Sequence, residues 1–337
     1  MLRRPLGLAL SSLGSSSSSC SSLCYTPYRG ASTKKPLEEG ASFFSLQQQI
    51  ADYCRLDLPD KATAALRRLK KEGGACNTAS YNQLIEVFAS RRRADRAQSF
   101  FDELRREPTE SPDVNSYNGL IRAYGASKEI KKAHLVFSQM GAAGLAPTID
   151  TFNALLSGFV TLGDVEGGRA LFQRIQNESR PNLQTMKSLL RLFATDLSEA
   201  RSCFESIPSF GLQADEECHI LWMQILGAEG LYGEARLVFE ILEQNSQDSP
   251  SAEAFTALIG AALNGEDADT AFSLYEQMRK NERQPSTQTF DLMIHFCGET
   301  NRMHEASHLI AEMESLGVTP SLRVDRVKQN LGRMLIL

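Results

Sequence analysis

The segment His304-Glu305-Ala306-Ser307-His308 has the H-E-x-x-H spacing, in which two histidines one helical turn apart hold zinc and the glutamate serves as general base. A catalytic zinc needs a third protein ligand. Here it would have to come from Glu312 or Glu314, because no glutamate follows residue 314 and the longer three-histidine spacing is absent. The chain also lacks the H-x-E and P-C-x-x-C signature of a zinc deaminase. Its seven cysteines, at 20, 24, 54, 76, 203, 218 and 297, include no C-x-x-C pair, so neither a disulfide framework nor a zinc knuckle is indicated. They read as reduced thiols that pack.

The element carrying the H-E-x-x-H motif argues against metal chemistry. Ala306 is the last of a series of small residues, Ala62, Ala97, Ala133, Gly168, Ala200, Ala235, Ala271 and Ala306, at spacings of 35, 36, 35, 32, 35, 36 and 35. A small side chain at such a position lets one helix approach its neighbour closely. The motif therefore falls in an ordinary packing register, and no catalysis is expected.

The hairpin behind the series is clearest in residues 114–148. Tyr117, Leu120, Ile121 and Tyr124 fall at i, i+3, i+4 and i+7, one apolar face of a helix A. After the polar break Ser127-Lys128-Glu129, the residues Ala133, Val136, Phe137 and Met140 repeat that spacing in a helix B, which is expected to stop at Gly144 and Pro147. Two short helices cannot bury both apolar faces alone, so the hairpin must stack on copies of itself. Fifteen residues before the small residues lie Gln47, Asn82, Asn118, Asn153, Ile220, Thr256 and Asp291, while Lys187 precedes Ala200 by thirteen. The fifth unit is thus expected to have lost two residues from its inter-helix turn. Directly before these positions stand the anchors Leu46, Tyr81, Tyr117, Phe152, Met186, His219, Phe255 and Phe290. Proline recurs at 112, 147, 181, 250, 285 and 320, where it is expected to stop helix B and fix the next turn.

Composition agrees with a folded, non-membrane chain: 337 residues, 42% hydrophobic, 23% charged and 8% aromatic, with no apolar run long enough to span a bilayer. Residues 1–36 hold three arginines, two lysines, a serine tract and no acidic residue, which reads as an organelle transit peptide rather than a secretory signal. Removing those basic residues takes the net charge from −5 to −10, so the remaining chain is acidic.

The period near 35, with Y-N-x-L-I early and A-x-x-x-F late in each unit, resembles the P-type pentatricopeptide repeat family. It differs from the tetratricopeptide hairpin, whose Trp-Leu-Gly start is missing. The resemblance covers 43–321 as eight units: 43–77, 78–113, 114–148, 149–182, 183–215, 216–251, 252–286 and 287–321. Residues 37–42 form a linker before them, and 322–337 read as a closing helix that covers the last apolar face. The implied fold is an all-α, right-handed α-solenoid of stacked helix-turn-helix repeats. With so short a segment after the last unit, no appended nuclease or editing domain is expected.

The resemblance also implies a function. Repeats of this family read single-stranded RNA one base per unit, from an inner groove lined by the A helices. It assigns reading to the residue after the anchor together with the last residue of the same unit. In this chain those pairs are Gln47 with Asn77, Asn82 with Asp113, Asn118 with Thr148, Asn153 with Asn182, Lys187 with Asp215, Ile220 with Ser251, Thr256 with Ser286, and Asp291 with Ser321. An amide or carboxylate there can bond a base edge. By family analogy Asn82 with Asp113 favours uracil and the next two pairs favour pyrimidines. A lone asparagine near a helix start more often caps backbone N–H groups. Three in register after aromatic anchors point to base contact. Arg122, Lys187 and Arg191 are the phosphate candidates, because the first and last lie four residues beyond reading positions and Lys187 occupies one. The family's frequent lysine eight residues after the reading position is replaced by Ser90, Ala126, Thr161, Thr195, Ala228, Asn264 and Glu299. Its apolar residue three before that position is replaced by Asn115, Asp150, Gln184, Glu217, Glu253 and Gln288. The sequence thus leads to an expected role as a non-catalytic organellar RNA-binding protein, in a mitochondrion or a chloroplast, holding a pyrimidine-containing strand. The rival is a protein-binding scaffold or a subunit of an organellar ribonucleoprotein such as the ribosome. No cofactor, metal, small-molecule substrate or membrane partner is expected.

Overall fold

The computed structural model describes residues 43–74, 76–245 and 249–334. The transit-peptide reading of 1–36, the linker 37–42 and positions 335–337 of the closing segment lie outside the described residues. Among the described residues the chain is all-α, with no strand, and no helix is long and apolar enough to cross a membrane.

The helices come as hairpins: α1 (Phe43–Arg55) with α2 (Pro59–Lys71), α3 (Thr78–Ser90) with α4 (Ala94–Arg106), α5 (Val114–Ala126) with α6 (Ile130–Ala142), and α7 (Ile149–Leu162) with α8 (Val165–Glu178). Then follow α9 (Leu183–Leu192) with α10 (Leu197–Ser206), α11 (Glu216–Ala228) with α12 (Tyr232–Asn245), α13 (Ala252–Asn264) with α14 (Ala268–Lys280), and α15 (Thr287–Glu299) with α16 (Met303–Ser315). Helix α17 (Leu322–Met334) packs on α15 and α16.

Local chemistry explains where these helices start and stop. Asn77, Asp113, Asn182, Asp215, Ser251 and Ser286 each accept a hydrogen bond from a first-turn backbone N–H, at 2.8 to 3.3 Å. Such caps satisfy donors that the helix itself leaves orphaned. Proline stands just before several of these caps and restrains the approach to the next helix. It does not stop helix B, contrary to the sequence expectation: α6 ends at Ala142, and the chain turns at Gly144 (φ +77°) before reaching Pro147. Between A and B, the turn needs a left-handed residue, and Asp57, Arg92, Lys128, Gly163, Gly230, Glu266 and Asn301 supply it.

Packing makes two layers. The A helices α3, α5, α7, α9, α11, α13 and α15 pack on one another in series, and each B helix from α2 to α12 packs on the A helices before and after it. Ala62, Ala97, Ala133, Ala200, Ala235, Ala271 and Ala306 are fully buried at these contacts. The A-x-x-x-F signature gains a physical reason here. The aromatic four residues after the small one meets the anchor of the next unit, as in Phe101 with Tyr117 and Phe239 with Phe255, both at 4.9 Å and edge-on. Burying Phe239 or Phe255 contributes about 1.5–3 kcal/mol relative to exposure. In units three and four, Gly125 and Gly158 let the backbones of α5 and α7 touch: a Cβ on Gly158 would lie 3.0 Å from the Gly125 Cα. Gly227 gives α11 the same access to Ala261 of α13.

The fifth unit departs from the sequence expectation. Its missing residues come from helix α9, which has 10 residues where its neighbour α11 has 13, and not from the connection, which spans 193–196. Leu192 at the end of α9 fills the space beside Gly168, where an added Cβ would lie 2.1 Å from Leu192 Cδ2. The short helix is therefore matched by the one glycine in the series of small residues. The B side of this unit is also broken, with α10 followed by a 3-10 turn at Ile207–Phe210 containing Pro208.

Candidate nucleic-acid interface

The reading positions from Asn82 to Asp291 each lie five residues after an A-helix cap, one and a half turns into the helix, and from Asn82 to Thr256 the partner in the pair is the cap of the following unit. The partner positions Asp113, Asn182, Asp215 and Ser286 are thus all helix caps, so the local role that competes with base reading is realised at them. At the reading positions the outcome varies by unit.

In unit two, Asn82 Nδ2 donates to Asp113 Oδ1 at 2.9 Å, and Ser116 Oγ donates to Asn82 Oδ1 at 2.6 Å. Unit four repeats this: Asn153 Nδ2 donates to Asn182 Oδ1 at 3.1 Å, and Thr185 Oγ1 donates to Asn153 Oδ1 at 2.8 Å. Asn118 differs. Its partner Thr148 turns to Thr151, donating its N–H to Oγ1 at 3.1 Å, and Asn118 Oδ1 is buried with no hydrogen-bond partner among the described residues. Asn118 is 4% exposed, and it lines an open cavity of about 390 Å³ with Asn82, Gln83, Glu86, Asn115, Arg122 and Asp150. An orphaned buried acceptor costs about 1–3 kcal/mol, which a donor from outside would relieve.

The phosphate candidates are placed differently from what their charge alone suggests. Arg122 is paired with Glu86 of the preceding unit. Lys187 Nζ lies 2.6 Å from both Asp215 and Glu217, and Arg191 lies 2.7 Å from Glu217. Burial works against charge on Lys187, but its two carboxylate partners outweigh this and hold its pKa above the usual value. The hydrogen bond from Lys187 in turn holds Glu217 below the usual glutamate range. Burial would raise Asp113, yet the Ser116 backbone N–H, the Asn82 amide and the Ser116 hydroxyl outweigh it and keep its pKa low.

Beyond unit five the inner surface changes character. Thr256 is buried and spends its hydroxyl on Ala252 O and Thr289 Oγ1, both at 2.7 Å. Ser286 caps α15 and faces Thr289. Around Ile220 an open cavity of about 570 Å³ is lined by Glu216, Glu217 and Glu253 with Arg191 the only cation. His304, Glu305 and His308 lie on α16 beside a separate cavity with Phe272, Tyr275 and Glu312. Among the described residues no three His, Cys, Asp or Glu side chains are grouped to hold a metal ion.

Three residues that matter here escaped sequence reasoning, Glu86, Ser116 and Thr185, and Glu217 was legible only as a departure from an apolar position. The signal for the first was present, since Glu86 and Arg122 hold equivalent places four residues after Asn82 and Asn118 and carry opposite charge. Glu217 holds the place of the apolar residue that would sandwich a base, and instead binds two cations.

The profile of the PPR repeat family matches residues 112–161, that of the pentatricopeptide repeat domain matches 249–300, and the PPR repeat profile matches 79–108, 150–179 and 288–318. A mitochondrial pentatricopeptide repeat-containing protein of Arabidopsis thaliana is 26% identical over 265 residues, covering 77% of this chain and 62% of that protein. Another from the same plant, also mitochondrial, is 25% identical over 217 residues, covering 63% of this chain and 30% of that protein. The small ribosomal subunit protein mL103 (rPPR7) of Arabidopsis thaliana is 22% identical over 265 residues, 77% of this chain and 64% of that one. The chain thus spans between about a third and two thirds of these relatives' lengths. Among solved structures, the pentatricopeptide repeat protein PPR10 in complex with an 18-nt psaJ RNA element superposes with a TM-score of 0.68 at 19% identity, over 85% of this chain and 42% of that one. PPR10 from maize gives a TM-score of 0.57 at 22% identity, over 84% and 41% of the two chains. With the repeat period, the caps and the aromatic contacts between units, these matches place the chain in the pentatricopeptide repeat family, with about eight units.

Proposed function

We propose that this chain is a non-catalytic organellar RNA-binding protein whose units two to five hold a short single-stranded, pyrimidine-containing segment. The observation that carries the reading is the row of amides at Asn82, Asn118 and Asn153, with Asn82 and Asn118 lining an open cavity of about 390 Å³ and the buried carbonyl of Asn118 without a partner among the described residues. Asn82 and Asn153 keep an uncommitted N–H each, because an amide nitrogen carries two and one is used. Base edges supply what these groups lack. Asp113, Asn182 and Asp215 hold the side chains of Asn82, Asn153 and Lys187 from their cap positions, Thr148 and Ser286 complete the remaining pairs, and Thr256 contributes least because its hydroxyl is committed. Arg122, Lys187 and Arg191 meet phosphate only by exchanging a carboxylate for it, so phosphate attraction is modest. The mitochondrial relatives, and the composition of residues 1–36, support action in a mitochondrion, with a chloroplast as the alternative.

A second reading has its own observation. The cations of the inner surface are neutralised and the cavity around Ile220 is acidic, which suits a basic protein of an organellar ribonucleoprotein, and one relative is a ribosomal subunit protein. Ultraviolet crosslinking of the full chain in organelles, followed by sequencing of the attached RNA, separates the two. Short recurring footprints rich in pyrimidines support RNA binding. Co-purification with ribosomal proteins, without crosslinked RNA, contradicts it and supports the scaffold.

A further inference from the structure

We propose that Ser116 and Thr185, which belong to no reading pair, are positioning residues that fix which edge of Asn82 and Asn153 faces a ligand. The inference rests on the reading of those asparagines as base contacts.

Asp113 and Asn182 must turn an oxygen toward the first-turn N–H groups of Ser116 and Thr185, since those donors have no partner inside the helix. The same oxygens lie against the amides of Asn82 and Asn153. Only the nitrogen of an amide can donate to an oxygen that is already accepting, so Nδ2 must point at the cap. Each Oδ1 is thereby aimed at the hydroxyl of Ser116 or Thr185, which donates to it at 2.6 and 2.8 Å. Both hydroxyl residues are fully buried, so water does not compete. A flipped amide would set oxygen against oxygen at the cap and turn the hydroxyl from Oδ1 to the cap oxygen, which lies 2.9 Å from Ser116 Oγ and 3.0 Å from Thr185 Oγ1. Asn118 has no such restraint, because its Oδ1 is unpartnered among the described residues. Two readers are therefore held as donors, and the one between them is free to present either group. The bases facing Asn82 and Asn153 are selected for an acceptor on the exposed edge, and the base facing Asn118 is selected less.

The test is equilibrium binding of the full chain to a set of RNA oligomers in which each base of the bound site is changed in turn. Asn82→Ala identifies the base facing Asn82 as the one whose preference it removes, and Asn118→Ala identifies its neighbour. Ser116→Ala is expected to reduce the preference at the Asn82 base about fivefold, the equivalent of one lost hydrogen bond. The Asn118 base, read from the same helix α5, and the salt dependence should stay as in wild type, and Ser116→Thr should restore the preference. Thr185→Ala should do the same at the Asn153 base. If Ser116→Ala leaves the Asn82 base preference intact while Asn82→Ala removes it, the positioning role is overturned and the base-reading role stands. An equal loss at the Asn82 and Asn118 bases also overturns it, because it reports a loosened α5. A wild type without any base preference overturns both readings at once.

Discussion

Asn82 in α3 and Lys187 in α9 stand at the same place in their units, five residues after a helix cap, and both reach the cap of the next unit. The amide arrives with spare capacity: one N–H is used and one remains. The ammonium arrives in a site that consumes it, between Asp215 and Glu217 and with Arg191 beside it. Units two to four thus keep an amide-lined inner surface, while units five to seven show a closed ion-pair cluster, the apolar Ile220 and the committed Thr256. The hairpin is common to both regions. What differs is whether the side chain at one register satisfies itself within the protein, and this decides where a ligand finds unspent groups.

The largest effect should come from separating the A helices. Gly158→Leu puts a side chain where Gly125 Cα lies 3.0 Å from an added Cβ, so it should destabilise the fold by about 1–3 kcal/mol in thermal unfolding and abolish RNA binding. Gly227→Leu makes the equivalent clash with Ala261 in the other region and should cost similar stability while sparing most of the binding. Equal loss of binding in the two variants would erase the contrast between the regions.

Lys187→Met should come next, at about 1 kcal/mol of stability near neutral pH, kept small because Asp215 and Glu217 are roughly half exposed. Its signature is in pH. The folded pKa of Glu217 is depressed, so its contribution is present above 4.5, the ordinary glutamate value, and is lost as pH falls through the lower folded value. Asp215, also depressed, behaves likewise from 3.8 downward. Denaturant titrations of the variant should show a flatter acid limb than wild type, and an unchanged limb would mean the pair contributes nothing. Asn118→Ala should lower RNA affinity about fivefold without lowering stability, since the carbonyl it removes is an orphaned buried acceptor that costs the fold about 1–3 kcal/mol. The smallest expected change is a gain: Glu217→Gln weakens the hold on Lys187 and Arg191, raising affinity about two- to threefold with a steeper salt dependence.

Much of this architecture was legible because the signals are local. The small residues, the anchors and the apolar spacing of each hairpin fall within a few turns of one another, and the structure buries them as that periodicity requires, with the half-buried His219 as the exception among the anchors. The asparagines were legible as a register. What they do within the protein was not, because Asn82 meets Asp113 and Ser116 more than thirty positions away, at a distance set by how one unit stacks on the next. The role of Glu217 was hidden for the same reason: its partners Lys187 and Arg191 belong to the preceding unit. The short α9 shows a further limit, since a deletion of two residues does not reveal by itself whether a turn or a helix gives way.

The RNA held by units two to five is proposed to be read by the unspent amides of units two to four. The most direct test is a binding titration of the full chain and the triple variant Asn82→Ala, Asn118→Ala, Asn153→Ala with short pyrimidine and purine RNA oligomers at two salt concentrations. The account predicts that wild type prefers the pyrimidine oligomer and that the triple variant loses roughly a hundredfold in affinity with its salt dependence unchanged, three hydrogen bonds' worth at about 1 kcal/mol each. A triple variant that binds as wild type does, or a wild type that binds neither oligomer above background, would contradict it.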